Sequence, residues 1–183
     1  AYSRDGQRFA SGGADKTIII WTSKCDGILK YSHNDTIQCL AYNPITTQLA
    51  SATESDFGLW LPEQKSVSKH KVTGKVLCCD WTNNGQYLAL GQYNGHVSIR
   101  DKHGAEKVRI ERSSPIWTIK WRPSSINGDN ADVLAVGCWD QTLSFWQLSG
   151  SRYGVKDVVL GYDPCSISYF DGGEYLLIGG SNR

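Results

Sequence analysis

An aromatic residue followed by a polar or turn-forming pair returns five times along the chain. The copies are Tyr2-Ser3-Arg4, Tyr42-Asn43-Pro44, Trp81-Thr82-Asn83, Trp121-Arg122-Pro123 and Tyr169-Phe170-Asp171, at intervals of 40, 39, 40 and 48 residues. A fixed period of this size restricts a chain to folds in which each repeat is one supersecondary unit that buries its faces only against its neighbours. Each landmark is followed by a turn and an apolar run ending in small residues: Phe9-Ala10-Ser11-Gly12-Gly13, Leu49-Ala50-Ser51-Ala52-Thr53, Leu88-Ala89-Leu90-Gly91-Gln92, Leu134-Ala135-Val136-Gly137-Cys138 and Leu176-Leu177-Ile178-Gly179-Gly180. A third element rich in β-branched or aromatic residues closes four units: Thr17-Ile18-Ile19-Ile20-Trp21, Phe57-Gly58-Leu59-Trp60, Val97-Ser98-Ile99-Arg100 and Leu143-Ser144-Phe145-Trp146.

Each unit therefore reads as three strands of about five residues separated by Gly, Asn, Asp or Pro turns. A weaker fourth strand is expected in the connectors, at Ser66 to Lys69 and at Val108 to Glu111. No stretch carries a sustained helical period. The expected units are a partial blade at 1–31, full blades at 32–71, 72–112 and 113–160, and a partial blade at 161–183. About four and a half blades do not close a ring of about six to eight. The chain has no methionine, even at position 1, and is expected to be a piece of a longer protein.

Radial packing explains the small residues. Inner strands crowd towards the axis, where Gly, Ala and Ser let neighbouring backbones approach. The apolar run Ile18-Ile19-Ile20-Trp21 lacks alternation, as expected of a strand buried on both faces, so a polar residue at Ile19 is expected to cost several kcal/mol.

The remaining features exclude more than they assign. Nineteen basic and eighteen acidic side chains leave a formal charge of +1, too little to draw in nucleic acid. No apolar run approaches the roughly 20 residues of a membrane span. Cys25, Cys39, Cys78, Cys79, Cys138 and Cys165 have neither zinc-site spacing nor the density of a disulfide scaffold, and are read as reduced, buried thiols of a cytosolic protein; adjacent Cys78 and Cys79 point to opposite faces of a strand. His33, His70, His96 and His103 share no metal-ligand spacing. No nucleophile elbow or phosphate loop is present, so no catalytic residue, metal or cofactor is expected. Lys65, Lys69, His70, Lys71 and Lys75 form a basic stretch that could contact an acidic partner or lipid headgroups, or serve as a solvated sheet edge whose lysines deter stray pairing.

The three landmarks together resemble the WD repeat, which adds an upstream Gly-His, an acid in the turn before the third strand and a closing Trp-Asp. Asp15, Asn94 and Asp140 each stand six residues before a closing position at Trp21, Arg100 and Trp146. In the second unit, closed by Trp60, one residue is missing and either Ser55 or Asp56 takes the role. Such acids could serve catalysis or metal binding; at a repeated hairpin they are read as acceptors for turn backbone. Only His33 matches the upstream histidine, and the closing pairs are Trp21-Thr22, Trp60-Leu61, Arg100-Asp101 and Trp146-Gln147, so the family's Asp-His-Ser-Trp network is not expected in most blades. The resemblance implies an all-β WD40 β-propeller fragment of four-stranded antiparallel blades, from a ring of seven.

Longer words narrow it. Ser55-Asp56-Phe57-Gly58-Leu59-Trp60 and Lys65-Ser66-Val67-Ser68-Lys69-His70-Lys71 are not demanded by blade architecture. With Leu29-Lys30-Tyr31-Ser32-His33-Asn34-Asp35 they are similar to the first propeller of the intraflagellar transport protein 122 family, over the whole chain. That resemblance implies a non-catalytic scaffold in ciliary transport complex A, acting in retrograde transport, cilium assembly and import of membrane cargo. Its implied partners are sister subunits, cargo or adaptors and the rest of its own propeller; its implied places are cytoplasm, cilium and basal body. The family's members carry a long acidic insertion in the fourth unit, where this chain has only Ser124 to Asp132, so that loop marks an insertion point or an omitted segment. The alternative is a WD-repeat subunit of another assembly, a vesicle coat or a ubiquitin-ligase receptor.

Overall fold

Short β-branched and aromatic runs bounded by tight turns become antiparallel ladders. The computed structural model describes residues 1–61, 67–124, 132–154 and 156–182, and the described residues hold seventeen strands in five sheets. The first sheet is β1 (Arg8–Gly12), β2 (Thr17–Thr22) and β3 (Gly27–Ser32). The second runs β4 (Cys39–Tyr42), β5 (Leu49–Ala52), β6 (Asp56–Trp60) and β7 (Ser68–Lys71). The third is β8 (Val76–Trp81), β9 (Tyr87–Gln92), β10 (His96–Asp101) and β11 (Glu106–Glu111). The fourth is β12 (Ile116–Trp121), β13 (Val133–Cys138), β14 (Thr142–Gln147) and β15 (Val158–Val159), and the fifth pairs β16 (Asp163–Phe170) with β17 (Tyr175–Ser181). The chain is all-β, built of consecutive meanders.

Neighbouring sheets meet through the landmark strands β4, β8, β12 and β16. The small-residue strands β5, β9 and β13 lie one place further out, β1 begins its sheet, and the glycines of β1, β9 and β13 receive the start of the next sheet. A Cβ at Gly12 would stand 2.7 Å from Ile37 Cγ2, one at Gly91 2.7 Å from Ile116 Cγ2, and one at Gly137 3.0 Å from Pro164 Cγ. Polar ties recur between neighbouring sheets, each spanning about one repeat. Trp81 Nε1 donates to the Ala41 carbonyl at 3.1 Å, Asn43 Nδ2 to the Gly85 carbonyl at 2.8 Å and Asn83 Nδ2 to the Arg122 carbonyl at 2.6 Å. Gly85 has φ +65° and packs against Asn43, so its turn needs a residue without a side chain.

Asp80 carries the strongest of these ties. Its carboxylate takes a 2.7 Å bond from Lys120 Nζ and a 2.8 Å bond from the Trp121 backbone N–H. Burial pushes the Asp80 carboxyl above its usual range, opposed by the Lys120 charge and both hydrogen bonds.

Several expectations need correction. Ile18 and Ile20 are 0% and 2% exposed and join the core between the first two sheets, with Ala10, Leu49 and Trp60. Ile19 is only half-buried, because alternation turns it to the flank that no sheet covers here; the large cost expected for a polar Ile19 belongs to Ile18 and Ile20. The fifth sheet also keeps an open face, with Phe170, Tyr175 and Leu177 exposed. The fourth strand of the second sheet is described over Ser68–Lys71, two residues past the expected end at Lys69; the expected start at Ser66 lies outside the described residues. The next outer strand begins at Glu106, earlier than Val108. All six cysteines are free, but Cys25 and Cys165 are exposed, Cys25 because it sits in a turn at φ 68°.

Candidate interaction surface

The second sheet holds a buried hydrogen-bond chain. Trp60 Nε1 donates to Ser51 Oγ at 2.6 Å, and Ser51 Oγ lies 2.7 Å from His33 Nε2. His33 Nδ1 lies 2.9 Å from Asp56 Oδ1, which also accepts from the Thr53 hydroxyl at 2.9 Å. With the indole donating into one end and a carboxylate at the other, every bond is made when His33 is neutral and protonated at Nδ1. Burial lowers the His33 pKa against the pull of Asp56, which keeps it neutral. Of Ser55 and Asp56, Asp56 is therefore the acid that meets the histidine; Ser55 Oγ turns to Asp35 at 2.8 Å.

The closing positions all find a serine, from two different strands. Trp21 Nε1 donates to Ser11 Oγ at 2.9 Å, and Ser11 on β1 and Ser51 on β5 both lie on the small-residue strand of their sheets, next to the closing strand. Trp146 Nε1 donates to Ser144 at 2.9 Å and Arg100 Nε to Ser98 at 2.7 Å, with both serines on the third strand. The register pairs are Ser11 with Ile19, Ser51 with Gly58, Leu90 with Ser98 and Val136 with Ser144. The hydroxyl thus crosses the ladder to its partner position and still meets the closing residue. Arg100 does more than an indole: it also bonds the Gly104 carbonyl at 3.2 Å and Glu106 at 3.0 Å, and lies over the Phe57 ring at 5.5 Å. Against the upward push of burial, Ser98, Arg100 and Arg109 hold Glu106 below the usual carboxylate range.

The turn residues bond their own hairpins. Asp15 Oδ1 accepts from the Thr17 N–H at 3.1 Å, Asn94 Oδ1 from His96 N–H at 3.2 Å, and Asp140 Oδ1 from the Thr142 N–H at 3.2 Å and its hydroxyl at 2.5 Å. Among the described residues no three of His, Cys, Asp and Glu gather as metal ligands would, and no helix is long and apolar enough to cross a membrane. The Cys79 thiol and burial push Cys39 up, and burial pushes Cys78 up, so both stay protonated and unreactive.

The basic stretch does not form one patch. Lys65 lies outside the described residues. Lys69 and Lys71 are exposed on the edge strand β7, and Lys69 Nζ bonds the Ser32 carbonyl at 3.3 Å. His70 turns inward to stack on Phe57, centroids 5.0 Å apart, and burial and Arg100 lower its pKa. Lys75 is half-buried before β8.

A set of aromatics that the repeat reading does not single out lies at the end of the sheets where second strands turn into third strands. Trp117 and Trp139 have ring centroids 4.8 Å apart at 59°, and Tyr93 meets Trp139 at 6.3 Å and 79°. Tyr93 is 52% and Trp117 39% exposed. A bulge makes this possible: the β12–β13 register slips between Ile116 and Thr118, so Trp117 points out between two buried neighbours. The same slip between Pro164 and Ser166 exposes Cys165. Both bulged residues line a recess of about 100 Å3 with Trp139, Asp163, Pro164 and Ser181.

Comparison with known proteins places this surface in a family. The family model described as the IFT122 first beta-propeller matches residues 1–183. The intraflagellar transport protein 122 homolog of Xenopus tropicalis is 64% identical over 187 residues, covering 100% of this chain and 16% of that protein. The Mus musculus homolog gives the same identity and coverage. The Homo sapiens homolog is 50% identical over 244 aligned positions, covering 100% of this chain and 20% of its own length, so within the aligned region the human protein has residues with no counterpart among the 183 here. The chain spans 16% to 20% of the length of these relatives. A match over every residue, on a stack of antiparallel sheets, shows that the chain belongs to the family of the first β-propeller of IFT122.

Proposed function

We propose that this chain is part of the non-catalytic propeller scaffold of an intraflagellar transport complex A subunit, acting in retrograde ciliary transport, cilium assembly and ciliary import of membrane cargo. The observation that carries the reading is the family match over residues 1–183. The scaffold role is supported by where the polar side chains go: His33, Ser51, Asp56 and Trp60 bond one another, and Asp80, Lys120, Asn43 and Asn83 tie sheet to sheet. Groups spent in this way hold loops at fixed spacing and do no bond chemistry. The partners of the whole protein are sister subunits of the complex, cargo or adaptors, and the rest of its own propeller. Its places are the cytoplasm, the cilium and the basal body. Lys69 and Lys71 on the β7 edge offer a contact for an acidic partner; charge reversal of both that leaves recovery of sister subunits unchanged removes that edge from the interface.

The test is a null cell. Loss of the protein is expected to leave cilia short or swollen at the tip, with recovery on re-expression of the full-length chain. Normal cilia in the null cell overturn the reading.

A further inference from the structure

We propose that β3, the outer strand of the first sheet, takes an extended segment of a partner polypeptide as an added strand, one in which acidic side chains alternate with apolar ones. β3 is the last strand of its sheet among the described residues, so one row of its backbone N–H and C=O groups faces outward. The His33 N–H donates to the Lys16 carbonyl at 2.9 Å. Hydrogen bonding alternates along an antiparallel ladder, so Leu29 and Tyr31 bond β2, and Lys30 and Ser32 turn their backbone groups out.

The repeat supplies its own comparison. β3 and β11 are the same length, and each carries one extra residue against its closing strand, Ile28 in β3 and Lys107 in β11. In this register Gly27, Ile28 and Ser32 stand where β11 has Glu106, Lys107 and Glu111. Charges of that kind deter stray pairing at a sheet edge, and β7 likewise carries Lys69 and Lys71. β3 keeps one charge, Lys30, and leaves Ile28 43% and Leu29 37% exposed. Lys107 and Arg109 stay exposed although the third sheet packs against a neighbour on each side. The exposure of Ile28 and Lys30 therefore belongs to their strand position and not to the end of the stack.

Charge along the edge selects the partner. Lys24 stands in the turn before β3 and Lys30 midway along it. Lys69 stands at the far end, where its Nζ bonds the Ser32 carbonyl at 3.3 Å. Against these three the edge has one acid, Asp26, in the same turn as Lys24. Acidic side chains of an added strand meet the lysines while its apolar ones cover Ile28 and Leu29. Main-chain bonds then give the affinity, and alternate side chains the specificity. The inference goes beyond the scaffold reading, since it needs only this edge and not the assembly the protein serves.

Phage selection of random decapeptides on the purified full-length protein tests it, with counter-selection on the Ile28→Lys protein. Lysine is what β11 holds at this position, so the blade accepts it. Enriched peptides are expected to alternate apolar and acidic residues. The synthetic consensus is expected to bind Ile28→Lys about tenfold more weakly, although the added positive charge by itself would strengthen binding. On the wild-type protein, N-methylation of every second peptide residue is expected to weaken binding about tenfold in one phase and little in the other, because only one row of amides joins the ladder. Enrichment of no peptide, equal enrichment on both proteins, or equal effects from the two methylation phases would overturn the proposal. A dimer of the free protein that Ile28→Lys dissociates, read by sedimentation velocity, would give the edge to a second copy and overturn it too.

Discussion

Ser51 Oγ stands 2.7 Å from His33 Nε2 and 2.6 Å from Trp60 Nε1, so one hydroxyl joins the connector before β4 to the closing strand β6. Ser51→Ala strands an indole donor and an imidazole acceptor in a buried site. It is expected to cost about 1–3 kcal/mol, read as a shift in urea midpoint by pulse proteolysis of the purified protein.

The same network sets a pH response. Burial depresses the folded pKa of His33 below its ordinary 6.5, so on acidification the unfolded chain takes up the proton first. The stability this group contributes is present above about pH 6.5 and is lost as pH falls through the folded value. His33→Gln is expected to flatten that slope between about pH 7.5 and pH 5.5; a slope unchanged by the substitution would assign the response to another group.

Arg100 bonds Ser98, Gly104 and Glu106 and covers Phe57. Arg100→Ala is expected to destabilise by about 1–3 kcal/mol, and Arg100→Lys to recover little, since an ammonium cannot reach three acceptors in one plane. Denaturant titration of the two variants side by side checks this.

At Gly91 an added methyl would meet Cys78 Sγ at 2.5 Å and Ile116 Cγ2 at 2.7 Å. Gly91→Ala is expected to cost about 1–3 kcal/mol through overpacking. Cys78→Ala removes the nearer atom, so the double variant is expected to be more stable than the sum of the single effects. Strict additivity in the cycle would show that the strain of the added methyl is not carried by Cys78, its neighbour on the same sheet.

Lys120→Met leaves the Asp80 carboxylate buried without its cation and is expected to cost about 1–3 kcal/mol at neutral pH. Burial already raises the folded pKa of Asp80 above the ordinary 3.8, and the substitution raises it further. The protonated form costs nothing to bury as a charge, so the deficit relative to the parent grows as pH rises through the folded value and shrinks towards about pH 4. Asp80→Asn in the same background is expected to remove the pH dependence, measured by thermal unfolding across pH.

Some of this was legible in residue order alone. The recurrence of Tyr42, Trp81 and Trp121 ahead of small-residue runs identifies the repeat, because every sheet needs the same strands and the same gap for its neighbour. His33 and Asp56 could be nominated for one network, because each is the residue type its repeat position asks for. The serine exchange was hidden: Ser98 and Ser144 stand at a different repeat position from Ser11 and Ser51, and they become equivalent only across an antiparallel ladder.

The amino-acid sequence by itself determined the period, the all-β class and the places of the turns, because these depend on short-range pattern and backbone conformation. Only the tertiary structure decided which side of β2 is covered, that His70 turns in while Lys69 and Lys71 stay out, and that Trp117, Trp139 and Asp163 share a recess. The physical reason is that a bulge reverses a side chain without changing its residue type, and neighbouring sheets bring together positions far apart in the chain.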